Sequence, residues 1–226
     1  MKYRGVIFDL DGTLLDTMGM WENVGRTYLQ QEGINPPEDL SQRLRSLSFA
    51  QAAELFQEEF GICKPLAQMV EEIHRIPQEQ YRKYVPLKSG VKALLKALET
   101  QGIPLCVATE TDRNSAESAL KRLGIRDSFC FVLSCREIGV GKTDPLIYQE
   151  AAKRMGATPE ETLIIEDSFY SVCTAKRAGF PVAAVYDASS APDWQNIQSI
   201  SDMWVDSLEK LIPLIIPQIR QEEKQS

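Results

Sequence analysis

Two aspartates, Asp9 and Asp11, end the first apolar run of the chain, and Gly12 and Thr13 follow at once. A strand that ends in a turn at this point would present both carboxylates at the C-terminal edge of a sheet. Open α/β sheets bind their ligands at that edge. Because neighbouring carboxylates repel each other, the arrangement costs stability unless a cation or a chemical task offsets it. The pair therefore marks a candidate site.

Four further side chains stand just past later apolar runs or in the loops that follow them: Thr109, Lys142, Glu166 and Asp167. If the strands are parallel, these side chains converge with the two aspartates on one edge of the sheet. The crevice would then hold four carboxylates, one hydroxyl and one ammonium group.

This balance of charge predicts a metal site. Four acids against one lysine leave a surplus of negative charge that is unfavourable when water is excluded. A divalent cation with oxygen ligands offsets the surplus, and Mg²⁺ suits carboxylates that leave room for water and a substrate phosphate. Lys142 and the Thr109 hydroxyl would donate to phosphate oxygens. The combination is typical of phosphoryl transfer.

Composition excludes several other classes of function. The formal net charge of −7 leaves no basic footprint for nucleic acid or an anionic membrane. No apolar stretch approaches the ~20 residues of a membrane span. His74 is the only histidine, in a charged helical stretch, so chemistry that needs a catalytic or metal-binding histidine cluster is excluded. The chain begins with no cleavable signal pattern, and we expect a cytoplasmic monomer.

The order of elements indicates an α/β fold. The first strand is predicted over Val6–Leu10, and helices and strands alternate after Pro86, which implies a doubly wound parallel sheet with right-handed crossovers. Later strands are predicted at Leu105–Ala108, Phe129–Leu133, Thr162–Ile165, Val182–Val185 and Met203–Val205. Helices are predicted at Val91–Leu98, Asn114–Leu123, Pro145–Met155, Ser171–Ala178 and Leu208–Ile219.

The stretch between Met18 and Tyr84 has a different character. Its apolar residues recur at helical spacing, and turn signals interrupt it at Gly33, Pro36-Pro37, Gly61 and Pro77. We predict about four helices and no strand there. The domain prediction is a Rossmann-like α/β core, residues 1–16 and 86–226, and an inserted α-helical cap domain, residues 17–85.

Taken together, these motifs resemble the haloacid dehalogenase superfamily. Asp9-Leu-Asp-Gly-Thr, Thr109 after a strand, Lys142 in Gly-Lys-x-x-Pro, and Ile-Ile-Glu166-Asp167-Ser match its four motifs in order and spacing. The helical insertion after the first motif looks like the C1-type cap of the β-phosphoglucomutase and phosphoglycolate-phosphatase branch. The resemblance covers nearly the whole chain.

The resemblance implies a role for each residue. Asp9 would attack phosphorus and form an aspartyl phosphate. Asp11 would protonate the leaving alkoxide and then take a proton from the hydrolytic water. Mg²⁺ would be held by Asp9, the Asp11 backbone carbonyl and Asp167, with Glu166 as a direct or indirect ligand. Thr109 and Lys142 would clamp the transferring phosphoryl group.

A β-phosphoglucomutase is the main alternative, because it shares the fold, the cap type and all four motifs. Those mutases carry a cap arginine for the second phosphate where this chain has Phe49, and their cap-hinge histidine falls near Trp21. A mutase must hold a bisphosphate at two anion sites, and the second is not evident here, although Arg43 or Arg45 could substitute. We therefore favour hydrolysis.

Three other activities fit the sequence less well than a phosphatase does. Dehalogenases of the superfamily lack the acid that stands here at Asp11. A phosphonatase needs a cap lysine that forms a Schiff base. Lys64 and Lys83 are the lysines of the predicted cap, and neither stands in a recognisable context. A phospho-acceptor receiver module is a ~120-residue single domain without a cap.

Two departures from the family pattern stand beside the site. Glu110 follows Thr109 where many relatives have Asn or Ser, and Ser171 stands where a glycine is common. Neither removes a catalytic role. The prediction is a Mg²⁺-dependent phosphatase for a small phosphorylated metabolite, a sugar or polyol phosphate.

Overall fold

The structure, a computed structural model, describes residues 3–44 and 47–216. It divides the chain into two compact units. One unit contains the residues up to Asp16 and those from Pro86 onwards, and the other spans Thr17–Val85. Arg45, and the end of the helix predicted over Leu208–Ile219, lie outside the described residues.

The first unit is built on a six-stranded parallel sheet with the strand order β3-β2-β1-β4-β5-β6. β1 is central, and the chain winds outward from it in both directions, which confirms the predicted doubly wound α/β fold. The strands are β1 Gly5–Phe8, β2 Leu105–Thr109, β3 Phe131–Ser134, β4 Thr162–Glu166, β5 Val182–Val185 and β6 Met203–Val205.

The central strands are short, apolar except at their ends and fully buried, as expected for a parallel sheet covered on both faces. Every residue of β1, β2 and β4 is buried. Ile7 and Ile164 pack on the same side of the sheet with Ile147 and Val172 from two of the helices. This core aligns the strands, and the alignment determines which residues lie at the strand ends.

Helices connect the strands of the first unit. Helices α1–α5 belong to the second unit. The helices of the first unit are α6 Val91–Glu99, α7 Arg113–Arg122, α8 Cys135–Ile138, α9 Leu146–Met155, α10 Phe169–Arg177, α11 Trp194–Ile200 and α12 Ile212–Ile215.

The prediction of one long helix from Leu208 is wrong for the described part. A 3-10 turn covers Leu208–Leu211 and gives way to the four-residue α12. Pro213 stands in the first turn of α12. A proline has no N–H to donate to the preceding turn, and here the α-helical hydrogen-bond pattern is interrupted between the 3-10 turn and α12.

The second unit contains five helices among its described residues, one more than the approximate prediction, and these residues form no strand. The helices are α1 Met18–Glu22, α2 Val24–Gln31, α3 Leu40–Leu44, α4 Phe49–Phe60 and α5 Leu66–Lys83. Their apolar faces share one core that includes Tyr28, Leu40, Phe56 and Met69.

Pro77 does not end a helix as its turn signal predicts. It lies inside α5, whose buried face also includes Met69, Ile73, Ile76 and Tyr81. Burial of this apolar face on both sides of the proline outweighs the lost backbone hydrogen bond. His74 is exposed on the same helix.

Among the described residues, no helix has the length and apolarity that crossing a membrane requires.

Candidate active site

The carboxyl ends of β1, β2 and β4 bring the predicted residues to one edge of the sheet. Asp9 follows β1 directly, and its N–H donates to the carbonyl of Ile165 at 3.0 Å. Thr109 is the last residue of β2, and Glu166 is the last residue of β4. Because the three strands are parallel neighbours in register, Asp9 and Glu166 emerge at the same level and Thr109 emerges one residue further along.

Three carboxylates form a compact buried group at this edge, which we call the acid cluster: Asp9, Glu166 and Asp167. One carboxylate oxygen from each lies within 4.8 Å of one from each of the others. Their exposed fractions are 7%, 1% and 3%. Such a group is unfavourable unless a cation compensates the charge.

Lys142 provides one compensating charge. Its side chain is 2% exposed, and its Nζ donates to Oδ1 of Asp9 and, at 2.6 Å, to Oε1 of Glu166. The loop that carries it begins after α8, where Gly139 ends the helix with a φ of 88°. A residue with a side chain rarely adopts this conformation, so the glycine allows the chain to turn toward the cluster.

Burial dominates the ionisation of the cluster. It raises the pKa of Asp9 from 3.8 to about 8, against the lowering effect of Lys142, while Glu166 and Asp11 raise this pKa further. Burial and the charge of Asp9 raise the pKa of Asp167 well above its ordinary value. Burial by itself would lower the pKa of Lys142, but the two adjacent carboxylates raise it well above its ordinary value.

Glu166 is held by the start of α10. Its Oε2 accepts from the N–H groups of Asp167 and Ser168, at 3.0 and 3.2 Å, and from the Ser168 hydroxyl. The hydroxyl of Tyr148, on α9, lies 3.2 Å from Oε1. These contacts fix the carboxylate against the helix N-terminus, where partial positive charge stabilises an acid.

Gly12 and Thr13 approach Asp167 closely. Gly12 has a φ of +84°, and a Cβ at this position would clash with the Asp167 carboxylate. The Thr13 hydroxyl donates to Oδ1 of Asp167 at 3.1 Å. The turn after Asp9 therefore requires glycine for two reasons, its backbone conformation and the space that the acid occupies.

Asp11 does not belong to the acid cluster. Its side chain is half-buried, and its Oδ2 accepts from the Thr111 hydroxyl at 2.6 Å. The backbone N–H of Thr111 donates to Oγ1 of Thr109 at 3.0 Å. Thr109 itself is fully buried. Its hydroxyl oxygen accepts this bond, which leaves the hydroxyl proton as a donor for another acceptor.

Sequence reasoning assigned no role to Thr13, Thr111, Tyr148 or Ser168. Thr13 and Ser168 stand inside the recognised motifs, so their position was a usable signal. Thr111 lies in the turn between β2 and α7 and contacts Asp11. Tyr148 lies on α9 and contacts Glu166. No spacing rule connects these two residues to the motifs.

Glu110, one of the two departures, makes two contacts at the edge of the site. Its side chain is exposed, its Oε1 accepts from the Lys142 N–H at 3.2 Å, and its Oε2 accepts from the Tyr170 hydroxyl at 2.9 Å. Glu110 thus connects the end of β2 to the Lys142 loop and to α10. The other departure, Ser171, is fully buried within α10.

The donor set fits a hard divalent cation. The acid cluster presents carboxylate oxygens, and carboxylates are the ligands that Mg²⁺ prefers. Nitrogen and sulfur ligands are absent from the cluster, so its chemistry does not favour zinc.

Within the helical unit, the lysines that could form a Schiff base are paired with acidic side chains of the same unit. Lys64 donates to Glu32 at 2.7 Å and to Glu72 at 2.9 Å, and these bonds raise its pKa above the ordinary value. A lysine held in the charged form is a poor Schiff-base nucleophile. Lys83 lies 3.5 Å from Glu79.

Two of the positions raised by the mutase alternative are also engaged within the helical unit. The Arg43 guanidinium pairs with Glu59, and the Trp21 indole donates to the Tyr81 hydroxyl at 3.0 Å. Arg45, the other candidate for a second phosphate, lies outside the described residues.

Comparison with known proteins gives consistent results. The sequence matches the haloacid dehalogenase-like hydrolase family over residues 6–185. It is 28% identical over 176 residues to the phosphorylated carbohydrates phosphatase of Thermotoga maritima, covering 78% of this chain and 82% of that protein. It is 29% identical over 204 residues to the bifunctional riboflavin kinase/FMN phosphatase of Arabidopsis thaliana, covering 90% of this chain. The match spans only about half of that longer protein, 53%.

A solved structure agrees in fold. A protein from Thermotoga maritima, provisionally named a β-phosphoglucomutase, superposes with a TM-score of 0.80 at 24% identity, covering 93% of this chain and 97% of that one. The family match spans most of the chain and confirms the resemblance inferred from the four motifs. This chain therefore belongs to the haloacid dehalogenase-like hydrolase family.

Proposed function

We propose that this protein is a Mg²⁺-dependent phosphatase that hydrolyses a small sugar or polyol phosphate through an aspartyl-phosphate intermediate. The observation that carries the proposal is the buried Asp9 carboxylate, held by Lys142 at the same strand edge as Thr109 and Asp11. A nucleophile, a cationic clamp, a hydroxyl donor and a second acid are the groups that such a reaction needs.

Asp9 performs the covalent step. A carboxylate oxygen of Asp9 attacks phosphorus, the P–O bond to the leaving group breaks, and the electron pair stays on the leaving oxygen. Asp11 donates its proton to that oxygen, so the product departs as a neutral alcohol. Water then attacks phosphorus, Asp11 accepts its proton, and the P–O bond to Asp9 breaks to release inorganic phosphate.

Lys142 and Thr109 bind the phosphoryl group while it transfers. The ammonium group of Lys142 contacts Asp9 and is therefore near the oxygens that gain charge as the bond to phosphorus forms. Thr109 offers the proton of a hydroxyl whose oxygen already accepts from Thr111. Both side chains are buried, so their interactions with an anion are strong.

Mg²⁺ would be held by Asp9, Asp167 and the Asp11 carbonyl, with Glu166 as a further carboxylate of the site. When bound, it supplies positive charge that favours ionised Asp9 and neutralises phosphate oxygens.

Two observations support a hydrolase for carbohydrate phosphates over a mutase. The Thermotoga maritima relative is named as a phosphatase of phosphorylated carbohydrates, and it matches over 82% of its length. In the helical unit, Arg43 is engaged by Glu59 instead of offering an unpaired guanidinium for a second phosphate.

Release of inorganic phosphate from a panel of sugar and polyol phosphates tests the proposal, with and without Mg²⁺. Asp9→Asn should reduce turnover at least roughly a thousand-fold, because an amide is not a nucleophile. Asp16→Asn is the matched control, since Asp16 lies seven residues after Asp9 in the sequence and its side chain is exposed. Wild-type turnover in Asp9→Asn would refute the nucleophile. Isomerisation of a hexose 1-phosphate faster than its hydrolysis would establish the mutase.

A further inference from the structure

Thr111 contacts two residues of the proposed machinery at once. Its hydroxyl donates to Oδ2 of Asp11 at 2.6 Å, and its N–H donates to Oγ1 of Thr109 at 3.0 Å. Thr111 is 8% exposed. It matches no motif of the family pattern, and nothing in the reaction outlined above requires a group at this position.

The backbone on both sides of Thr111 is fixed. Thr109 belongs to the ladder between β2 and β3, where it pairs with Ser134. Asp112 is the N-cap of α7, and its side chain accepts from the Ser115 N–H at 3.0 Å. A strand end and a capped helix therefore fix the backbone around Thr111, so its hydroxyl is pre-organised toward Asp11.

The bond distinguishes the two oxygens of the Asp11 carboxyl group. In a neutral carboxylic acid, one oxygen carries the proton and the other is the better acceptor. Because the Thr111 hydroxyl donates to Oδ2, Oδ1 is the oxygen of Asp11 that would present a proton to the leaving group. The hydrogen bond from the Thr111 hydroxyl also restricts rotation of the Asp11 carboxyl group. Without it, the two carboxyl oxygens could exchange positions.

We propose that Thr111 is a positioning residue that orients Asp11 for protonation of the leaving group; this rests on the proposed function. In the step concerned, the Oδ1–H bond of Asp11 breaks and its proton goes to the ester oxygen. That oxygen keeps the electron pair of the broken P–O bond. Thr111 retains its own proton throughout and does not touch the substrate.

The role predicts a dependence on the leaving group that a structural role would not produce. An alkoxide leaving group needs a proton from Asp11, whereas 4-nitrophenolate departs without one at neutral pH. The parameter to compare is kcat/KM, because it reports steps up to the first irreversible one and excludes hydrolysis of the aspartyl phosphate.

The experiment measures kcat/KM for sorbitol 6-phosphate and for 4-nitrophenyl phosphate in saturating Mg²⁺. In Thr111→Val, which keeps the shape and removes the hydroxyl, the value for sorbitol 6-phosphate should fall roughly tenfold. The value for 4-nitrophenyl phosphate should change less than about twofold. Thr111→Ser retains the hydroxyl and should restore most of the loss. Thr111→Ala provides the same comparison if the valine variant does not fold.

Equal losses on the two substrates, or no loss on either, would overturn the positioning role. Asp11→Asn is the reference variant, and it should show the same bias toward the aryl substrate more strongly. If Asp11→Asn shows the bias and Thr111→Val does not, only the inference about Thr111 fails. If Asp11→Asn shows no bias, the assigned role of Asp11 fails, and the inference fails with it.

Discussion

The Nζ atom of Lys142 lies 2.6 Å from Oε1 of Glu166, and both side chains are almost completely buried. The same ammonium group contacts Asp9. One cation therefore serves two carboxylates that lie on different strand ends. Removal of a buried partner leaves the opposite charge uncompensated, which costs far more than loss of an exposed pair.

We expect Lys142→Met to reduce both activity and stability. Activity should fall at least roughly a hundred-fold, because the phosphoryl group loses a cationic clamp. Without added metal, the free energy of unfolding should fall by about 3 kcal/mol, because two buried acid groups lose the ammonium group that both contact. Phosphate release and urea unfolding at pH 7 measure the two effects.

Lys210→Met is the matched control for this substitution. Lys210 pairs with Asp206 at 2.7 Å, but both side chains are more than half exposed. Its loss should change the free energy of unfolding by less than about 1 kcal/mol and leave activity unchanged. Similar destabilisation by the two substitutions would contradict the account of the buried pair.

The stability of the metal-free protein should fall as the pH rises from about 4 to about 8. Burial raises the pKa of Asp9 from 3.8 to about 8, and the pKa of Asp167 is also raised. The folded protein therefore binds more protons in this range than the unfolded chain does, and stability falls wherever that is so. Groups whose pKa is lowered, such as Asp187, affect the profile only at lower pH.

Urea unfolding in EDTA at pH 5, 6, 7 and 8 measures this slope. Asp9→Asn should flatten it, because one of the titrating carboxyl groups is removed. Addition of Mg²⁺ at pH 8 should raise the stability of the wild type, since a ligand of the folded state stabilises by mass action. A stability that is constant or increasing over this range would contradict the prediction.

Asp167→Asn should weaken the response to Mg²⁺. The carboxylate belongs to the acid cluster, and an amide offers the cation a neutral oxygen instead. We expect the Mg²⁺ concentration for half-maximal phosphate release to rise at least roughly tenfold. Asp127→Asn, at an exposed position, is the control and should leave this concentration unchanged. An unchanged concentration in Asp167→Asn would remove Asp167 from the metal site.

Gly12→Ala should impair the site more than Gly102→Ala. Both glycines have positive φ values, +84° and +66°, so each substitution strains the backbone by roughly 1–2 kcal/mol. At Gly12 the added Cβ also meets the Asp167 carboxylate, whereas no atom lies within 4 Å at Gly102. Urea unfolding and Mg²⁺-dependent phosphate release compare the two. Activity should fall at least roughly tenfold in Gly12→Ala only.

The strands were the most predictable part of the fold. β5 and β6 begin and end where their apolar runs predict, and β1, β2, β3 and β4 differ by one or two residues at one or both ends. Short apolar runs between turn signals have few alternatives in a protein of this size, because burial in a parallel sheet requires continuous apolarity.

The sequence predictions failed at helix interruptions. In one helix, tertiary packing overrides a local turn signal, and in another a proline interrupts an apolar pattern. Pro77 predicted an interruption, but the buried face of α5 continues through it. In the tail the reverse holds, because an apolar pattern predicted a continuous helix and Pro213 divides it. Apolar periodicity indicates which residues are buried, but it does not by itself determine where a helix ends.

The sequence by itself determined the class of chemistry. Two acids after one strand, an acid pair after another, a threonine and a lysine are identifiable as residue types, and their order along the chain carries the family. Tertiary structure decided which atoms meet. The charged contact of Lys142 with Asp9 joins residues 133 positions apart, and the bond from Thr111 to Asp11 joins residues 100 positions apart. Only the register of parallel strands brings such distant groups within hydrogen-bonding distance, because local spacing carries no information about it.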